Sequence, residues 1–213
     1  MKPRTIGAAL LLASTLLVAE KHFNPPPAAH ARTYPIHESH DDEKVTIAVD
    51  PCDTAEKNAV FKANYKRYGF YPVRLIISND SDKTLMLQEV RIEYITARRD
   101  KLQPATDADI YRRLVRPSRA DESKPGMKLP FPTGRKQPIN KDVREEYESA
   151  QFLHVPVTPH ATNSGYLFFD TEGTDVQEPG ARLYITGIKA GNQELFYFEI
   201  PLDKPAPQAT PAK

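Results

Sequence analysis

The sequence has one cysteine and no tryptophan among its 213 residues. A lone cysteine, Cys52, excludes an intrachain disulfide framework, a CxxC redox pair and a cysteine-based zinc site. The missing tryptophan also excludes the Cys-Trp-Cys core of true immunoglobulin domains. Because an unpaired thiol in an oxidising compartment is more often buried than bridged to another chain, we predict that Cys52 is inert and lies inside the domain.

An excess of charge of either sign is also missing. Lys and Arg total 29 and Asp and Glu total 28, which leaves a formal net charge of +1. The whole chain therefore exerts no strong attraction on nucleic acid or on an anionic membrane, and any electrostatic partner must be bound locally. The 20 prolines beside 39% hydrophobic residues indicate long irregular connections around a modest core.

The common catalytic motifs are absent from the sequence. It has no GxSxG elbow, no GxxxxGK(S/T) phosphate loop and no HExxH zinc helix. Ser164 lies near His154 and His160 in sequence, as a nucleophile and a base might, but 163–165 fits better as a turn that enters a strand. We therefore predict a protein that is not an enzyme and has no cofactor, and we keep a hydrolase-type enzyme as an alternative.

The N-terminus has the features of an export signal. A positively charged start precedes an apolar run over residues 6–19, which has signal-peptide length and is short for a membrane span. Cleavage after Ala19 or after Ala31 fits the small-residue rule. The second site, Ala-His-Ala, fits better but follows a long polar spacer, and we take 1–31 as the signal peptide. We predict a periplasmic or secreted protein that contacts membrane only if this segment stays uncleaved.

Residues 32–43 lack periodicity and are predicted to form a flexible leader. His37 and His40, beside Asp41 and Asp42, are weak candidates for ligands of a divalent transition metal. A metal site needs ligands held by a folded scaffold, which favours the alternative of a solvated tail.

The stretch 71–96 predicts a β-hairpin around which the fold assembles. Its first arm is apolar on both sides, which indicates a strand in mid-sheet, and the turn-forming residues 79–82 follow. In the second arm Ile92 and its i±2 neighbours are apolar, whereas Arg91 and Glu93 are charged. This period of two is typical of a half-buried strand with one face in the core.

Further elements follow from the same patterns. A first strand is predicted over 45–49, with Thr46 and Ala48 outward. A capping box that starts at Asp53 predicts a short helix that reaches roughly Phe61. Two more helices are expected, within 105–115 with Thr106 as N-cap and within 140–153. Later strands are predicted at 165–171, 182–186 and 194–200, the last with Phe196, Phe198 and Ile200 on one face.

These elements predict a mainly β fold. We expect an immunoglobulin-like antiparallel β-sandwich of about seven strands over 44–202. A helical and irregular insertion occupies about 98–160 and carries the two later short helices. Residues 203–213 are predicted to be a disordered tail because they lack apolar residues with which to pack.

Two segments are candidates for binding a partner. In the first, Tyr65, Arg67 and Tyr68 belong to a run in which aromatic and basic residues alternate; the alternative is that the rings cover the edge of the sandwich. The second is the basic part of the insertion, where prolines favour an extended backbone that presents apolar side chains. Its candidate residues are Lys128, Leu129, Phe131, Arg135 and Lys136.

The segments VTIAVDPCDTAEKNAVF, YPVRLIISNDSDKTLML, DADIYRRL, SGYLFFDT and LFYFEIPL resemble a group of bacterial exported proteins of unknown function with an immunoglobulin-like β-sandwich. The resemblance covers roughly residues 44–202. It implies export and the sandwich fold, and it implies no functional residues.

The sequence thus predicts an exported interaction module that contacts an envelope protein or an anionic polymer through its loops. A structural module of an envelope assembly is the main alternative. Export makes nucleic acid an unexpected partner.

Overall fold

The computed structural model describes residue 23 and residues 25–115, 141–171 and 180–203. In this part of the chain the strands are β1 His37–His40, β2 Val45–Pro51, β3 Phe70–Asn79, β4 Leu85–Met86, β5 Arg91–Ile95, β6 Lys101–Leu102, β7 Ala161–Asp170, β8 Arg182–Thr186, β9 Lys189–Ala190, β10 Gln193–Glu194 and β11 Phe198–Pro201. The helices are α1 Ala55–Asn58, α2 Asp107–Ile110, which continues as a π-helical turn Tyr111–Val115, and α3 Lys141–Ala150. No helix in these described ranges is long and apolar enough to cross a membrane.

The strands form antiparallel sheets. The first sheet has the order β1-β2-β3-β7, the second has the order β11-β8-β5-β6, and a small third sheet has the order β10-β9-β4. Apolar side chains from the first and second sheets meet in one core, to which Leu75 and Phe169 contribute from one side and Leu183 and Phe198 from the other. The prediction of a mainly β fold is confirmed, and the two facing sheets are consistent with a β-sandwich.

Strand β3 is the centre of the first sheet. It pairs with β2 on one side and with β7 on the other, and every residue from Phe70 to Asn79 is buried. The predicted mid-sheet position is therefore confirmed. The predicted hairpin of 71–96 is wrong, because β5 pairs with β6 and β8 in the second sheet rather than with β3. The chain crosses from one sheet to the other between the two arms.

A third layer covers the outer face of the first sheet. At one end, Phe70 and Phe168 of the sheet pack against Ile110 of α2 and Tyr147 of α3. At the other end, Ala48 and its neighbours are covered by residues near Ala31. Thr46 and Ala48, which were predicted to face outward, are consequently fully buried.

The prediction of a flexible leader over 32–43 is wrong for β1. This strand pairs with β2 and lies at the edge of the first sheet, next to β11 of the second. Its sequence, His-Glu-Ser-His, has no apolar alternation, and polar contacts rather than apolar packing hold this strand in place. Ser39 Oγ lies 3.0 Å from Thr46 Oγ1, and Glu38 accepts a 2.7 Å hydrogen bond from the backbone N–H of Glu199.

The helix signals are local and mostly accurate. Thr106 forms the N-cap of α2 in a capping box with Asp109, as predicted. In α3 the side chains of Tyr147 and Ala150 are buried. For α1 the predicted cap is one residue early, because the Thr54 side chain, and not that of Asp53, accepts from the N–H of Lys57, and the helix ends at Asn58.

Strand β7 begins earlier than predicted. Residues 163–165, which were expected to form a turn, pair with β3 within this strand. Gly165 is required there by close packing, since a Cβ at this position would lie 2.5 Å from the Cα of Phe152. The backbone of Phe152 lies directly over β7, with its N–H bonded to the carbonyl of Tyr166.

Candidate functional site

The aromatic and basic segment Tyr65–Tyr68 forms a single 3₁₀ turn in front of β3. The side chain of Asn64 caps its start, and Gly69, with φ +80°, ends it in the left-handed region that glycine favours. Within the turn Tyr65 is buried and Arg67 is exposed. The turn therefore divides the predicted binding residues between the core and the surface.

Tyr65, one of the predicted binding residues, belongs to the core and is only 1% exposed. Its ring lies 5.0 Å from that of Phe61 and 4.5 Å from that of Phe168. Burial and then the negative charge of the nearby Glu146 raise the pKa of its phenol above the ordinary range. No face of this ring is open to a ligand, whereas Tyr68 is only half-buried and remains a candidate.

Glu146 anchors the loop that leads into this turn. The side chain is only 3% exposed, and its carboxylate accepts hydrogen bonds from the backbone N–H of Lys62 at 2.5 Å and of Ala63 at 3.1 Å. A glutamate in so acidic a helix is expected on a solvated face, and nothing local in the sequence indicates otherwise. A carboxylate that receives two backbone N–H groups holds a loop more firmly than neutral hydrogen bonds do.

The anchored loop and α1 enclose an open groove of about 730 Å³. Its apolar floor includes Ala59 and Phe61, and its lining contains three basic side chains and no acidic one. The basic residues of the lining are Lys62, Lys66 and Arg67. This arrangement favours a ligand that has a negative charge beside an apolar part.

The groove is held in place by polar contacts to the neighbouring strands. The ammonium of Lys66 donates to the carbonyl of Asp53 at 3.1 Å and lies 5.6 Å from the centre of the Tyr71 ring. The ammonium of Lys57 forms ion pairs with Asp50 and Asp53 at 2.8 and 3.2 Å. Lys57 therefore offsets part of the charge of these two acids, and neither acid belongs to the groove lining.

A pair of aromatic residues is exposed at the edge of the second sheet. Phe196 is 77% exposed and Tyr197 is 51% exposed, whereas Phe198 and Ile200 are buried, so the prediction that Phe196 shares their face is wrong. Residues 195–197 belong to no strand and connect β10 of the third sheet to β11 of the second, with Leu195 and Phe198 both buried. The Tyr197 ring packs 5.2 Å from that of Tyr184 on the outer face of the sheet.

The candidate metal ligands are not brought together. His37 and His40 are three residues apart on β1, which places them on opposite faces of the strand. His40 stacks on Phe198 at 3.9 Å, and its two ring nitrogens lie 2.9 Å from Glu43 and 3.2 Å from Glu38. Both nitrogens of His40 are thus engaged. In the described ranges no cluster of three or more potential ligands could hold a metal ion.

The candidate nucleophile and its possible bases are also separate. Ser164 Oγ accepts a hydrogen bond from Arg74 at 3.2 Å beneath the N-terminal segment. The ring of His154 contacts Phe152, and His160 lies 3.3 Å from Asp82. Neither histidine forms a hydrogen bond with Ser164 in the described part of the chain.

The candidate residues Lys128, Leu129, Phe131, Arg135 and Lys136 lie outside the described residues.

Cys52 is buried, as predicted, and we expect it to react slowly with iodoacetamide in the native protein. Burial and then the Asp50 carboxylate raise the pKa of the thiol from 9.0 to about 12. Near pH 8 this shift lowers the thiolate fraction roughly a thousandfold relative to the unfolded chain. The pKa of this thiol is higher in the folded protein than in the unfolded chain. The stability that its burial allows is therefore fully present below pH 9, and it is lost as the pH rises towards 12 because only the unfolded chain then ionises readily.

The measurement is the alkylation rate by mass spectrometry, with the urea-unfolded protein as the control. Equal rates for native and unfolded protein would contradict the burial of this thiol.

Comparison with known proteins found no matching family, no similar curated protein and no similar solved structure. The chemistry of the groove and of the exposed aromatic pair is therefore the basis for a functional proposal.

Proposed function

We propose that this protein is an exported binding module that captures an anionic partner in the groove beside α1. The observation that supports it is the lining, which combines three basic side chains with an apolar floor and contains no acid. A protein of almost neutral net charge gains local attraction for an anion only where like charges are grouped in this way.

The groove is formed by ordered segments that are fixed to the rigid scaffold, as is usual for binding sites. Its residues lie on α1, a loop and a 3₁₀ turn, while Glu146 ties that loop to α3 and Gly69 leads directly into β3. A loop that is already ordered loses less conformational entropy when a ligand binds. This pre-organisation supports binding rather than a purely connecting role.

The finer description of the fold and its location belong to the same proposal. Two facing antiparallel sheets and a third layer on one side support an immunoglobulin-like sandwich with a helical insertion, and the apolar run at 6–19 supports export to the periplasm or beyond. The partner chemistry that suits such a location is an anionic envelope polymer or an acidic protein segment.

We expect the double variant Lys62→Glu and Lys66→Glu to bind a soluble polyanion, dextran sulfate, about tenfold more weakly or worse than the wild type. Two charge reversals turn attraction into repulsion at the groove. The wild-type affinity should also fall as salt is raised, because exposed charges are screened. Titration calorimetry at low and high salt measures both effects.

The matched control is Lys83→Glu, an exposed lysine in the loop at the far end of β3. It changes the net charge in the same direction and leaves the groove intact, so it should reduce the affinity little. An unchanged affinity in the double variant, or an equal loss in Lys83→Glu, would rule out the groove as the binding surface.

A structural module of an envelope assembly is the second candidate function. The exposed pair Phe196 and Tyr197 supports it, because apolar rings held outward between buried neighbours are typical of a protein contact.

A further inference from the structure

The N-terminal segment, described at Phe23 and at residues 25–31, lies across the outer face of the first sheet and is part of the folded domain. Ala31, its last residue, has no exposed surface and packs with Ala48 and Ile76. Its backbone N–H donates a 2.8 Å hydrogen bond to Ser78 Oγ, and the Ser78 side chain is itself fully buried. These contacts join the segment to strands β2 and β3.

The other end of the segment is anchored by an aromatic ring. Phe23 stacks on Phe61 with ring centres 5.5 Å apart and an angle of 2° between the planes. It also meets the edge of the Tyr166 ring at 6.2 Å. Phe61 is part of the groove described above, so this anchor links the N-terminal segment to the candidate binding site.

Two polar contacts, at Pro26 and at His30, also hold the segment on the first sheet. Arg74 lies in the middle of β3 and is only 4% exposed, and its guanidinium donates to the carbonyl of Pro26. A buried guanidinium needs acceptors, and Pro26 supplies one of them. Nearer Ala31, the His30 ring lies 3.0 Å from the Asp80 carboxylate, which follows the end of β3.

Cleavage after Ala31 would remove all of these contacts. Ala48 and Ile76 would lose their cover, Arg74 would lose an acceptor, and Asp80 would lose its partner. Cleavage after Ala19 would keep every one of them. The site after Ala19 also directly follows the apolar run 6–19, as a signal-peptide cleavage site should.

We propose that export processing cuts the bond between Ala19 and Glu20 and leaves segment 23–31 on the mature protein as a permanent cover of the first sheet. This inference rests on the proposed export. The reaction is hydrolysis by a signal-peptidase-type enzyme: water adds its hydroxyl to the carbonyl carbon of Ala19, the C–N bond breaks, and Glu20 keeps its nitrogen as the new amino terminus.

The test is to express the full chain in a bacterial host and to determine the N-terminus in each cell fraction by intact mass and N-terminal sequencing. We expect extracytoplasmic protein to begin at Glu20. Ala19→Asp should abolish this processing because it places a charge at the cleavage position. Ala29→Asp is the matched variant: it blocks the Ala-His-Ala site through an exposed residue and should leave the N-terminus unchanged.

The possible failures differ from one another. Extracytoplasmic protein that begins at Arg32 overturns this inference and leaves export standing. Loss of processing in Ala29→Asp, with normal processing in Ala19→Asp, also overturns this inference and leaves export standing. Full-length protein that begins at Met1 and stays in the cytoplasm overturns the proposed export and this inference together.

Discussion

Ile92→Asp should unfold the protein or lower its free energy of unfolding by about 4 kcal/mol or more. Ile92 is only 5% exposed in the core between the two sheets, opposite Ile185 of β8. A carboxylate there would lie among apolar side chains, so it must lose its hydration or its charge. Because domains of this size are typically stable by roughly 5–15 kcal/mol, a loss of this magnitude removes most of the margin.

The matched control introduces the same side chain one residue earlier. Arg91 is exposed on the opposite face of β5, and Arg91→Asp should cost less than about 1 kcal/mol, mainly through repulsion by nearby acids. Urea denaturation followed by circular dichroism measures both variants. Equal losses of stability would contradict the orientation of β5 in the second sheet.

Glu146→Ala should destabilise the protein by about 3 kcal/mol and loosen the loop that forms the groove. The variant loses two charge-assisted hydrogen bonds and leaves the N–H groups of Lys62 and Ala63 without their acceptor. Unpaired N–H groups beneath a packed helix cost free energy because water reaches them poorly. The loss should therefore appear both in global stability and in local protection.

Two measurements separate these effects. Hydrogen exchange should accelerate at the amides of Lys62 and Ala63 more than in the sheets, and dextran sulfate binding should weaken because Lys62 moves. Glu145→Ala is the control, since Glu145 is the exposed neighbour on the same helix and should change stability by less than about 0.5 kcal/mol. Unchanged exchange at both amides in Glu146→Ala would show that the carboxylate does not hold the loop.

The local features of the fold were predictable from the sequence. The alternation around Ile92 identifies the buried face of β5, since successive side chains in a strand point to opposite faces. Thr106 and Asp109 identify the start of α2, because a capping box is formed by residues three apart. The strand Arg182–Thr186 has its predicted bounds. In each case the interaction that decides the structure lies within a few residues.

Strand partners were not predictable in the same way. The residues of β3 and β5 are separated by a good turn sequence, and the pattern of either strand is compatible with a hairpin. The alternation of a strand specifies which face is buried, but it does not specify the strand to which its edges bond. The long-range pairings of β3 with β7 and of β5 with β8 decide that the two arms belong to different sheets.

The sequence by itself determined the mainly β class, the N-cap of α2 and the faces of the best strands, because each depends on neighbours along the chain. The tertiary structure alone decided the burial of Thr46, the edge position of β1 and the role of Glu146. A polar side chain is buried only where distant groups satisfy its hydrogen bonds, and the N–H of Lys62 lies 84 residues from the carboxylate that binds it. No local pattern in the sequence records such a contact.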